Sequence, residues 1–357
     1  MIKKRFAFAC TAVVFAAMAA PASAQSSVTL YGLVDLGIRV DKTAFGTVTG
    51  LQSGMESGNR FGFRGIEDLG GGLAAVFTLE AGFLADTGEL ISNGAPGPGF
   101  GRQASVALVS SKWGGVGFGR QYNPIFSFVA GNLDPFGFGF VGSIGNSVGL
   151  LAGAPARSGN SLSYSSPVWG GFKADVIYAL GETSKPDVPK GAGDQMGLSL
   201  VYTDKAFTLG YAYHRTRGMT DMASSPEQVR HVIGGNYDFG LLKLYGSYAL
   251  NRNDAAVSRI DRAAYTVGVR VPIGAGVWLA QYQVSNDRTA ADADSRQVAL
   301  GYQYFLSKRT DVYAVLAKTD NRNRAAFAIS DSTNSSIGTV TPGFDPGAYQ
   351  VGIRHRF

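Results

Sequence analysis

The chain has 357 residues, with 32 Lys and Arg against 26 Asp and Glu, for a formal net charge of +6. The basic residues are scattered along the sequence, which argues against a nucleic-acid surface, where they would gather on one face. With one cysteine and three histidines, little is left for disulfide scaffolds, zinc fingers or thiol catalysis.

Lys3, Lys4 and Arg5 precede an apolar run from Phe6 to Ala20, and Pro21-Ala22-Ser23-Ala24 supplies an A-x-A site before Gln25. This order predicts a secretory leader over 1–24, cleaved after Ala24. Its apolar stretch is short for a membrane-spanning helix. The leader would take with it Cys10 and three positive charges, so part of the basic excess belongs to export. The remainder, 25–357, reads as one domain, because composition stays uniform and no linker interrupts it.

From Val28 onward the pattern has a period of two. Val28, Leu30, Val34, Leu36 and Ile38 share one face, while Thr29, Asp35 and Arg39 share the other. The same reading predicts sixteen strands, near 27–40, 59–68, 72–84, 101–111, 114–122, 158–166, 172–181, 195–203, 206–216, 228–239, 241–252, 261–271, 276–287, 295–306, 309–319 and 347–357. Most have about the 9–11 residues that cross a bilayer at a tilt, and an even strand number is the bacterial rule.

The connections sort by length. Short turns lie at 68–72, 112–115, 167–171, 203–205, 239–240, 272–276 and 307–309. Long connections lie at 41–58, 86–100, 123–157, 182–194, 217–227, 253–260, 288–294 and 320–346. Short turns on one rim and long loops on the other are the pattern of an outer-membrane barrel, which a soluble sandwich has no reason to share. Trp113 and Trp169 sit at short turns and Trp278 close to one, as an interfacial girdle would place them. In the last strand Tyr349, Val351, Ile353 and Phe357 share one phase. It is expected to pair with the first strand, because an open edge in lipid is prohibitive. The predicted fold is an all-β, sixteen-stranded antiparallel transmembrane barrel.

Several motifs then carry a family resemblance: Ser27-Val28-Thr29-Leu30-Tyr31-Gly32, Arg60-Phe61-Gly62-Phe63-Arg64-Gly65-Ile66-Glu67-Asp68-Leu69-Gly70-Gly71-Gly72, Gly101-Arg102-Gln103-Ala104, Gly117-Phe118-Gly119-Arg120-Gln121-Tyr122, Tyr304 to Tyr313, and Gly352-Ile353-Arg354-His355-Arg356-Phe357. Running in order from end to end, they resemble the β-proteobacterial general porins of the Gram-negative outer membrane. The resemblance implies a water-filled passive channel for ions and small hydrophilic solutes, a homotrimer, and a third loop folded into the lumen. It also implies outer-membrane lipid and lipopolysaccharide as surroundings, and an assembly machinery that reads Phe357. Segment 86–100, with Pro96 and Pro98, is the candidate to reach a neighbouring subunit.

By the same resemblance, loop 123–157 is the constriction loop, with Asp134, Phe136 and Phe138 on its side of the passage. A loop so rich in Gly and Phe would be odd on a surface. On the second strand Arg60 and Arg64 are out of phase with Phe61 and Phe63 and so face water, since a charge in lipid would cost about 2–4 kcal/mol. Arg102, Arg120 and Arg157 match further arginine positions of general porins. The loop carries one carboxylate, Asp134, where enterobacterial general porins carry more. The expectation is anion preference. No metal-ligand spacing or phosphate-binding loop appears, so neither a cofactor nor an enzymatic activity is expected. A substrate-specific channel, an adhesin or a barrel enzyme on the same scaffold remains an alternative.

Overall fold

The computed structural model describes residues 27–92, 95–97, 99–145, 155–182, 190–218, 226–253, 255, 259–332 and 340–357. The leader expected over 1–24 lies outside these residues, as does Pro98. In chain order the elements are β1 (Ser27–Thr43), β2 (Gly46–Ser53), β3 (Arg60–Gly70), β4 (Leu73–Phe83), β5 (Leu90–Ser92), β6 (Ala95–Pro96), β7 (Gln103–Ser110), β8 (Gly114–Tyr122), α1 (Pro124–Asn132), β9 (Arg157–Ser165), β10 (Phe172–Ala179), β11 (Gln195–Thr203), β12 (Phe207–Thr216), β13 (Gln228–Asp238), β14 (Lys243–Asn253), β15 (Asp261–Ile273), β16 (Gly276–Asp287), β17 (Ser295–Phe305), β18 (Thr310–Asn321) and β19 (Gly347–Arg356).

Sixteen of these strands, all but β2, β5 and β6, form one antiparallel wall. It closes where β1 pairs with β19, from Leu33↔Arg356 to Lys42↔Gly347. Each of the sixteen falls on one of the sequence-predicted strands. The wall is apolar outside and polar inside. On β16, Trp278 and Tyr282 are exposed while Gln281, Gln283 and Ser285 are buried. On β1, Val34 and Ile38 are exposed while Asp35 and Arg39 are fully buried. A soluble sheet shows the opposite arrangement, and lipid requires this one.

The long connections hold more structure than their composition suggests. Within 41–58, β1 continues to Thr43, turns at Gly46 (φ +122°), and returns as β2 in register Lys42↔Thr47. The β-branched run Thr47-Val48-Thr49 favours that extension. The chain then leaves the sheet at 54–59, where Met55 and Asn59 are fully buried. Segment 86–100 carries the short hairpin β5–β6. Segment 123–157 opens with α1, capped by Asn123, whose Oδ1 accepts from the Phe126 backbone N–H at 3.0 Å, and started by Pro124. Both residues are favoured at a helix start.

Candidate functional site

Neighbouring strands deliver a set of charged side chains to one side of the enclosed face. Arg60 opens β3, Glu80 lies on β4, Arg102 immediately precedes β7, Tyr122 ends β8 and Arg157 begins β9. The register Tyr122↔Arg157 and the Arg102 N–H to Glu80 carbonyl bond (3.1 Å) hold these ends level. Arg102 Nε meets Glu80 Oε1 at 2.7 Å, and Arg102 Nη2 donates to Tyr122 Oη at 2.8 Å. Arg157 Nη2 donates to the same Oη at 2.7 Å, with its guanidinium 4.4 Å from the Tyr122 ring centroid. Tyr31 Oη donates to Glu80 Oε2 at 3.0 Å. Arg60 Nε donates to the Gly58 carbonyl at 3.0 Å and stands within the electrostatic reach of Arg102 and Arg157. Arg102 and Arg157 thus share the Tyr122 phenol, and Arg102 also holds the Glu80 carboxylate, in charge-assisted bonds stronger than neutral ones, with Arg60 beside them.

Two of the expected arginines stand apart from this group. A β-bulge between Gly119 and Gln121 takes Arg120 out of the β8–β9 ladder, though it stays paired with Ala104 of β7, and its Nε donates to the Gly101 carbonyl at 2.6 Å. Arg64, toward the short-turn end of β3, is exposed.

Segment 123–145 packs against side chains on the enclosed face of the wall. Ile125, Phe128, Val129, Leu133 and Ile144 cluster with Ala212, Val232, Ala249 and Ala264. Phe136, Phe140 and Val141 cluster with Val277, Leu279, Ala299, Tyr313, Val315 and Ala317. Each buried aliphatic or aromatic side chain contributes roughly 1.5–3 kcal/mol. Wall amides hold the segment's backbone: Gln283 Nε2 donates to the Gly142 and Ser143 carbonyls at 3.1 Å, and Gln297 Nε2 to the Val141 carbonyl at 2.9 Å.

Asp134 is turned into its own segment. Its carboxylate accepts from the N–H groups of Phe136 (2.9 Å), Phe138 (2.9 Å) and Ile144 (3.1 Å), and from Ser143 Oγ (3.3 Å). Phe138 meets Phe126 edge-on at 4.6 Å, and Phe126 stacks on Tyr122 at 5.3 Å. This aromatic chain joins the loop to the arginine group. Phe136 faces the opposite way, into the cluster around Leu279 and Ala299.

Sequence reasoning missed Glu80, Tyr122 and Tyr31 as members of this group. Glu80 carried a usable signal: it is the one charge in Leu73–Phe83 and is out of phase with the outward Phe77 and Leu79. A further buried network went unread where β1 meets β19. There Arg354 pairs with Glu56 (2.5 Å) and Asp311 (3.0 Å), while Tyr313 Oη donates to Asp35 at 2.5 Å.

Residues 9–324 match the family model described as Gram-negative porin. An outer membrane porin protein of Bordetella pertussis is 31% identical, over 97% of this chain and 98% of its own. Outer membrane porin protein 32 of Delftia acidovorans is 33% identical, over 94% and 95%. The solved structure of an anion-selective porin from Comamonas acidovorans is 30% identical, with a TM-score of 0.82 over 93% of this chain and 100% of that one. Family, relatives and barrel agree: this chain belongs to the Gram-negative porin family and forms a passive, water-filled channel across the outer membrane.

Proposed function

We propose that the channel prefers anions and that segment 123–145, folded inward, sets its narrowest point. Arg60, Arg64, Arg102, Arg120 and Arg157 supply the basic side, and Asp134, Phe136 and Phe138 shape the loop side. The carrying observation is the gathering of Arg60, Arg102 and Arg157 about the single carboxylate of Glu80. Surplus positive charge in a narrow, low-dielectric passage concentrates anions. The packing of segment 123–145 on the enclosed face supports the inward fold, and the Comamonas relative described as anion-selective supports the sign.

The test is the reversal potential of purified protein in a planar bilayer under a salt gradient. The expected potential lies toward the chloride equilibrium value, and Arg60→Gln with Arg102→Gln moves it toward zero. A potential toward the potassium value overturns the reading. Conductance that saturates with one solute would favour a substrate-specific channel instead.

The assembly reading is a homotrimer, as a Vibrio cholerae neighbour of the same fold is described in a trimer form. The leader 1–24 is removed on export, Phe357 is read by the barrel assembly machinery, and lipopolysaccharide surrounds the finished barrel.

A further inference from the structure

The outward face at the long-loop end of β14–β16 carries three arginines around one aspartate. Arg252 Nε lies 3.1 Å from Asp261 Oδ1, Arg288 Nε 3.8 Å from the same oxygen, and Arg259 Nη2 3.8 Å from Oδ2. The arginine side chains are 49%, 42% and 68% exposed and that of Asp261 is 15% exposed, so the carboxylate is enclosed by cations that still reach outward. Exposed ion pairs of this kind are weak. Asp261 therefore gathers the three guanidiniums without neutralising them.

The face of the wall they occupy follows from strand phase. Arg252 is in phase with Leu250 and Tyr248, Asp261 with Tyr265 and Val267, and Arg288 with Tyr282. Tyr265, Val267 and Tyr282 are exposed on the outward, lipid-facing side. The Tyr248 and Tyr265 rings lie 5.1 Å apart, with Tyr248 midway along β14 and so near the middle of an apolar band about 25 Å tall. Arg252 stands four residues beyond Tyr248, roughly 13 Å further along the strand. That is the depth of the headgroups on the long-loop side, which faces the cell exterior in outer-membrane barrels. The guanidinium fork matches phosphate oxygens two at a time.

We propose that Arg252, Arg259 and Arg288 form a site for a phosphate group of the outer-leaflet glycolipid. The inference rests on the reading that lipopolysaccharide surrounds the barrel, and it names where on the wall the contact is made. None of the three arginines belongs to the group lining the passage, so channel current and lipid binding report separately.

The experiment uses the full-length barrel in detergent, titrated with bisphosphorylated lipid A, with dephosphorylated lipid A and with inorganic phosphate, and read by native mass spectrometry. The expected result is that Arg252→Gln/Arg259→Gln/Arg288→Gln weakens binding of the bisphosphorylated form by about tenfold or more, with conductance and reversal potential unchanged. The lysine triple variant keeps the charge without the fork and loses less. It serves in place of the glutamine variant if that fails to fold. Equal binding by variant and wild type overturns the proposal, as does equal binding of dephosphorylated lipid A. Inorganic phosphate binding as tightly as the lipid marks a free-ion site and also overturns it. Altered oligomeric size with lipid binding intact marks a subunit contact and does the same.

Discussion

Glu80 sets the local charge balance at the arginine group, because it is the carboxylate that Arg102 and Tyr31 both contact. Removing it leaves the guanidiniums in place with one negative charge fewer. A unit charge at 4 Å is worth about 1 kcal/mol in bulk water, roughly a fivefold change in local ion concentration. Glu80→Gln is therefore expected to move the reversal potential further toward the chloride value, the opposite of Arg102→Gln. Bilayer recordings of both variants in one salt gradient check the pair of signs. Tyr122→Phe removes the acceptor shared by Arg102 and Arg157. Its expected effect is an altered single-channel conductance with the sign of selectivity kept, because the charges remain. The arginines were legible because their motifs recur in porins, and because phase alone keeps Arg60 out of lipid. Tyr122 was not: its motif gives it no role, and only the register Tyr122↔Arg157 brings it beside the arginines.

At the scale of elements, the sixteen wall strands were readable because lipid on one side and water on the other impose a strict period of two. The long connections answer to different forces, and there the reading fell short. Segment 123–145 has no two-sided environment to write a period into it; its helix follows from a local cap and a run of apolar contacts. The signal was the pair Asn123-Pro124, and the surrounding glycines and phenylalanines obscured it. Asn123→Ala is expected to cost about 1 kcal/mol, seen as noisier open-channel current in a barrel of unchanged strand content. A larger effect is expected at Gly139. A Cβ there would lie 1.8 Å from the Glu56 carbonyl oxygen, beside the bond from the Phe140 N–H to the Met55 carbonyl at 2.6 Å. Gly139→Ala must separate segment 134–145 from segment 54–59, at a cost of typically 1–3 kcal/mol. Single-channel conductance is expected to shift clearly from wild type, while circular dichroism keeps the β signature.

At the scale of the whole molecule, the barrel depends on one seam. All other neighbouring wall strands are joined through a connection in sequence, whereas β1 and β19 come from opposite ends of the chain and meet only when the rest of the wall stands. The last bonds of that seam belong to Phe357. Its N–H donates to the Gly32 carbonyl at 3.0 Å, and its carbonyl accepts from the Gly32 N–H at 3.1 Å. Gly32 has no side chain because the Phe357 ring occupies that place: a Cβ would lie 2.4 Å from Cζ of the ring and 2.7 Å from the Arg60 carbonyl oxygen. The terminal phenylalanine therefore has a structural role in the finished barrel, separate from any signal it gives during assembly. Gly32→Val tests the two apart, because it leaves the C-terminal sequence intact while displacing the ring. If the seam matters as the packing indicates, the variant is still exported but gives less folded barrel, with a lower midpoint in thermal unfolding followed by heat-dependent gel mobility. Deleting Phe357 loses the seam bonds and, on the proposed reading, the assembly signal as well, so it is expected to lower the yield further. A Gly32→Val protein that unfolds at the wild-type temperature would show that the remaining register from Leu33↔Arg356 to Lys42↔Gly347 holds the seam unaided.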